Sequence, residues 1–313
     1  YCMDGKQLQT QYKEHLSDFN NWNQKEHAED FILYPKNIGY HLCIDETALS
    51  KGELYTILTN REKHGRKCTI VAIVKGTKAE DVINVLLKID ADKRNQVKEI
   101  TLDMAGSMQK IAKRCFPGAM QVVDRFHVSK LVYEAVQDLR IAYRWQVMKD
   151  ENRKIKEAKA KGESYEPKVF GNGDTLRQLL ARSRYLLFKA PDKWLQSQKV
   201  RAKLLFEQFP DIKSVYYYAL RLGKIFSDYT DKDVARAKLA LWYNEIEEFG
   251  YDTFTTVANS IENHYERILN YFVNRSTNAA AEAFNAKIKA FRASFRGVVD
   301  KRFFLYRLAK VYA

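Results

Sequence analysis

Five short runs between residues 38 and 125 carry the period-two alternation of a pleated sheet, and strand signals stop after Trp145. "IGYHLCIDETAL", "ELYTILTN" and "KCTIVAIVKG" are rich in β-branched residues and separated by turn residues such as "KHGRK". They predict three strands joined by hairpins. "TKAEDVINVLLKI" then places apolar residues at helical spacing after a Thr, "VKEITLDMAG" returns to strand character, and "SMQKIAKRCF" is helical up to "PG". "AMQVVDRFHV" supplies the fifth strand and runs into the long helical pattern "SKLVYEAVQDLRIAYRW". The order is three strands, helix, strand, helix, strand, helix.

A three-strand meander followed by two strands reached through helical crossovers is the order of a ribonuclease-H-like sheet. The expected fold class is therefore α/β, a mixed five-stranded sheet with flanking helices. Residues 1–37 read as a polar lead-in and 38–145 as the first part of the core. Residues 150–168 hold 11 charged residues of 19 and read as a solvated helix tip or loop. Beyond them, helical segments near 175–190, 192–208, 211–227, 231–248 and 252–271 are separated by "APD", "FPD", "YTDKD" and "FGYD", whose Asp and Thr suit helix caps. These predict a large all-helical insertion over 146–272. Residues 273–313 then return as helices that complete the core.

Composition narrows the partners. The chain has 313 residues, 53 Lys and Arg against 39 Asp and Glu, and a net charge of +14, which favours a polyanion. Its four cysteines, at 2, 43, 68 and 115, form no CxxC pair, so a reduced protein without structural zinc is expected. There is no apolar run of membrane-spanning length and no secretory pattern, which predicts a cytoplasmic protein. The start at Tyr1 predicts that further residues precede it.

Two aspartates end strands. In "HLCIDET" and "EITLDMAG", Leu42 and Ile44, and Ile100 and Leu102, face one way, so Asp45 and Asp103 face the other. With the first and fourth predicted strands adjacent, the two carboxylates converge, and such a pair suits Mg²⁺ or Mn²⁺, most usefully two ions. Glu282 is the candidate third acid. It lies near the start of "STNAAAEAFNAKIKAFRASFRG" (276–297), which reads as one helix in which Phe284, Ile288, Phe291 and Phe295 form an apolar stripe. Glu282, Asn285, Lys289, Arg292 and Arg296 share another edge. Singly, each acid is an ordinary turn, cap or surface residue; jointly, they describe a metal site beside a basic helix edge.

The combination of "LDMAGSM", "VVDRFHV", "ILNYFVNR" and "STNAAAEAFNAKIKAFRASFRG" resembles bacterial insertion-sequence transposases of the DDE superfamily, in the ISL-three group. The resemblance runs from about residue 38 to the end. It implies a helical insertion before the catalytic glutamate, the acids Asp45, Asp103 and Glu282 as catalytic metal ligands, and Mg²⁺-dependent cleavage of element-end DNA. The freed 3′-hydroxyl would then join target DNA. A homodimer or larger assembly on nucleoid DNA is also implied. The family's N-terminal zinc-binding segment and helix-turn-helix have no counterpart in this sequence, and alanines replace glycines around Glu282.

Other readings stay open. Asp124 either enters the metal cluster or caps the helix starting near Val128; His127 either contacts a phosphate or carboxylate or is a packed side chain. Asn285 is a candidate support for the acids. Residues 284–313 hold eight Lys and Arg against Asp300 alone, a net +7, which favours DNA over a solubilising surface, with Lys289, Arg292 and Arg296 on the strand. Tyr216, Tyr217 and Tyr218 read mostly as packing. A structure-specific nuclease of the same fold and a catalytically silent DNA-binding descendant are the alternatives to a transposase.

Overall fold

The computed structural model describes residues 4–50, 52–250, 252–295 and 297–313. After α1 (Gly5–Gln11), the strands are β1 (Phe31–Leu33), β2 (His41–Ser50), β3 (Glu53–Asn60), β4 (Ile70–Lys75), β5 (Glu99–Leu102) and β6 (Met120–Val123). Between β4 and β5 lie α2 (Ala79–Leu86) and α3 (Ala91–Asn95), and between β5 and β6 lies α4 (Gly106–Cys115). The sheet order is β1-β4-β3-β2-β5-β6. β2, β3 and β4 pair antiparallel as the hairpin turns predict, whereas β5 joins β2, and β6 joins β5, in parallel.

This is the ribonuclease-H-like sheet with one strand more than the five expected. The correction is β1, which pairs antiparallel with the outer edge of β4, Phe31 opposite Val74 and Leu33 opposite Ala72. Three residues are too few to show a period, and Pro35 stands two positions beyond Leu33, so "FIL" carries no strand signal of its own. It pairs because Ile32 is fully buried among Ile57, Ile70 and Ile73.

The chain forms two units, residues 1–124 with 274–313, and residues 125–273. The division falls after Asp124, ahead of the boundary at residue 145 that the sequence suggests. The reason is α5 (Arg125–Ala160), a single helix of 36 residues whose tip takes the first part of the charged stretch, the rest following as a loop. Ion pairs at helical spacing, Arg153 to Asp150 and Arg153 to Glu157, accompany its solvated end.

The second unit is helical, as expected: α6 (Leu176–Arg182), α7 (Gln196–Gln208), α8 (Pro210–Asp228), α9 (Lys232–Phe249), α10 (Asp252–Asn263), α11 (Tyr265–Leu269) and α12 (Tyr271–Asn274) follow α5. Thr175 caps α6 and Asp231 caps α9 through their side chains. Tyr216 is buried with its hydroxyl donating to the Lys189 carbonyl at 2.6 Å, so packing is its use. Among the described residues, no helix is long and apolar enough to cross a membrane.

The first unit closes with α13 (Ala279–Ser294) and α14 (Lys301–Tyr312). Phe284 and Ile288 of α13, with Phe304, Leu305 and Leu308 of α14, bury against Tyr55, Ile57, Ile70 and Ile73 of the sheet. Phe291 and Phe295 pack against the same cluster. The predicted apolar stripe of this helix is therefore its docking face.

Candidate metal centre

The register of the parallel strands brings three aspartates to one level. β2 and β5 pair His41 with Glu99 and Cys43 with Thr101; continuing that register sets Asp45 opposite Asp103. β5 and β6 pair Glu99 with Met120 and Leu102 with Val123, so Asp103 stands opposite Asp124. Neighbouring strands run about 4.8 Å apart, and level residues point to one face. Asp103 and Asp124 thus stand just past the carboxyl ends of β5 and β6, the edge where open α/β sheets form their sites, whereas Asp45 lies level with them in the middle of β2, which continues to Ser50 through its pairing with β3 and does not end at the aspartate as expected.

Each has a local anchor. Asp45 Oδ1 accepts from the Glu46 backbone N–H at 2.8 Å, and Oδ2 accepts from Asn285 Nδ2 at 2.7 Å. Asp103 Oδ1 accepts from the Ala105 N–H at 2.8 Å and so shapes the turn into α4, a use the sequence also allowed. Asp124 is 2 % exposed, with its N–H bonded to the Leu102 carbonyl at 3.1 Å.

Glu282 arrives from the other end of the chain. It is exposed in the first turn of α13, and its carboxylate lies within 4.8 Å of that of Asp124. Asp45 and Asp103 stand outside that close group. Glu282 therefore meets Asp124 first, a residue that the sequence allows either in the metal cluster or as a helix cap. Asn285, one turn beyond Glu282, makes the hydrogen bond to Asp45 itself. Lys289 follows, exposed, and Arg292 is half-buried. Arg296 lies outside the described residues. His127 sits half-buried in the first turn of α5, its ring edge-on to Phe126.

Two contacts that sequence reasoning missed hold α13 in place. Thr101 Oγ1 donates to Asn278 Oδ1 at 2.9 Å, and both residues are fully buried. Asn278 occupies the N-cap position, and its side chain makes no cap hydrogen bond. α13 begins directly after it, at Ala279. The signal was present in sequence, since Thr101 shares its strand face with Asp103. Next to it, Glu99, 1 % exposed, accepts from Arg61 Nη1 at 2.6 Å and Asn274 Nδ2 at 2.8 Å. Burial pushes the Glu99 carboxyl up, but hydrogen bonds from Asn274, Ser276 and Arg61, with the Arg61 charge, outweigh it and hold its pKa below the usual value.

That shift has a sign. A depressed folded-state pKa adds stability that is complete above the ordinary glutamate pKa of about 4.3 and is lost as pH falls through the lower folded value. Arg61→Ala leaves a buried carboxylate without its cation, and we expect a loss of about 3–5 kcal/mol at neutral pH. The urea midpoint reads it. The deficit should shrink below pH 4; a loss under about 1 kcal/mol at neutral pH would mean that Asn274 and Ser276 suffice.

The donor set suits a hard divalent cation. It offers carboxylate oxygens from Asp45, Asp103, Asp124 and Glu282. Cys43, on the same sheet face, is no competitor: burial pushes its thiol up to about 11, so it stays neutral. The local field is negative as well. Burial, then the charges of Asp103 and Asp45, raise the Glu46 pKa, which marks a region that gains from a cation. Glu46 is a further acid that the sequence reading passed over.

Fold and site together define a ribonuclease-H-like protein with an acidic cluster at the sheet's parallel end. A family model described as transposase, for DDE enzymes of the ISL-three group, matches residues 42–308, and the chain belongs to that family. No curated protein matches. Among solved structures, the chain is similar to the Drosophila P element transposase strand transfer complex at 14 % identity and a TM-score of 0.35, covering 86 % of this chain and 75 % of that one.

Proposed function

We propose that this transposase cleaves DNA at the acidic cluster and joins the freed 3′-hydroxyl to a second duplex. The observation that carries the reading is the level array of Asp45, Asp103 and Asp124, with Glu282 delivered beside it by α13. Asp45, Asp103 and Glu282, with Asp124, would hold Mg²⁺ or Mn²⁺. When bound, a pair of such ions activates the attacking oxygen and stabilises the leaving oxygen in phosphodiester chemistry. Asn285 fixes one oxygen of Asp45 through its amide, which leaves that carboxylate a single orientation. Lys289 and Arg292, further along the helix, would neutralise phosphates leading away from the acids, with Arg296 following them in sequence. His127 remains a candidate contact to phosphate. A dimer or larger assembly on nucleoid DNA belongs to the same proposal.

The test uses an oligonucleotide carrying the element end, a second duplex, and Mg²⁺ or Mn²⁺. We expect nicks that leave a 3′-hydroxyl, followed by joined product, and neither with EDTA. Nicking without joining would instead identify a nuclease of this fold. Tight DNA binding with no metal-dependent cleavage would identify a silent binder.

A further inference from the structure

At the opposite end of the sheet from the acids, the first unit contains a cavity of 590 Å³. Its position follows from the strands: Asn60, at the end of β3, pairs with Leu42 near the start of β2, and Lys67 lies in the connection just beyond. Lys36 lies between β1 and β2, and Lys93 on α3 precedes the start of β5. All three lysines line the cavity and are exposed. Among the described residues none has a carboxylate within 4.0 Å. Trp22 and Tyr34, both half-buried, form the wall, with Trp22 Nε1 donating to the Tyr34 hydroxyl at 3.2 Å. Lys310, also on the rim, is held by Asp18 at 2.9 Å.

Three separate elements bring three exposed lysines without carboxylate partners to one cavity. That concentration of positive charge favours an anion. The cavity is far larger than a single phosphate needs, and its aromatic wall suits a sugar or base. We propose that this cavity is a second nucleic-acid site, with Lys36, Lys67 and Lys93 on backbone phosphates and a nucleoside against Trp22 and Tyr34. It would hold a stretch of DNA other than the one at the acids. The inference rests on the DNA-joining reading, because an enzyme that joins two duplexes must grip both.

Salt dependence tests it. Each phosphate neutralised by a lysine contributes about 0.9 to the slope of log affinity against log salt. In EDTA, with a short duplex, Lys36→Ala, Lys67→Ala and Lys93→Ala combined should reduce that slope by about 2–3. Nicking of saturating element-end DNA should be retained, while joining to the second duplex falls by about tenfold. If the wild type binds no DNA, the cleavage reading itself fails. If the wild type binds and the triple variant keeps its slope, these lysines are solvated surface and the cavity proposal is overturned. Equal competition by polyglutamate, lost in the triple variant, would overturn it too, in favour of an acidic peptide.

Discussion

Asp45→Asn and Asp103→Asn should each lower metal-dependent nicking by at least about a thousand-fold, while DNA binding in EDTA is unchanged or tighter. Each substitution keeps the side-chain shape and removes one negative charge from the donor set of a hard cation, whose affinity depends on charged oxygens. A thousand-fold corresponds to about 4 kcal/mol of lost transition-state stabilisation. Glu282→Gln should behave alike. Asp124→Asn separates two uses of that residue: as a ligand beside Glu282 it costs as much as the others, whereas as a helix cap alone it costs stability and leaves the rate nearly intact. Wild-type nicking rates in both Asp45→Asn and Asp103→Asn would end the assignment of the cluster as the cutting site.

The second large effect is on stability. Phe284 is 1 % exposed, packs in the sheet-facing cluster and meets Tyr312 edge to face at 5.1 Å. Phe284→Ala should cost about 3–5 kcal/mol, through lost burial and the cavity left behind. The urea midpoint of the first unit measures it. Because the same side chain seats α13, nicking should fall below the melting transition as well, as Glu282 and Asn285 lose their fixed placement. Phe284→Leu keeps most of the volume and should restore much of both. Loss of stability with full retention of nicking would show that α13 is held by Asn278 and Asn285 alone.

Strands with several alternating residues declared themselves, because a half-buried strand must repeat every second residue. The same parity put Asp45 and Asp103 on one face, and the spacing of Phe284, Ile288, Phe291 and Phe295 set the docking side of α13. β1 escaped because three residues carry no period. The charged run after residue 150 stays open in sequence between a solvated helix tip and a loop, and only the structure sets the end of α5 at Ala160. The meeting of Glu282 with Asp124 depends on where α13 lands on the sheet, and tertiary contacts decide that. Asn278 illustrates the limit: it stands at the N-cap position, but its side-chain oxygen accepts from the Thr101 hydroxyl on the sheet, a partner 177 residues away that no local pattern announces.

The Asn285–Asp45 and Asn278–Thr101 hydrogen bonds join residues 240 and 177 positions apart in the chain. Contacts of such separation are the slowest to form and the last available as a chain leaves the ribosome. Until residues 274–313 emerge, the nascent protein carries the aspartates without Glu282 and without the two helices that cover the Ile57 and Ile73 face of the sheet. An interrupted translation product therefore lacks both the last acid and part of the core that would hold the others. In a protein proposed to cut the DNA of its own host, the order of synthesis makes the last acid arrive with the helices that finish the fold, so a part-made chain carries no complete blade.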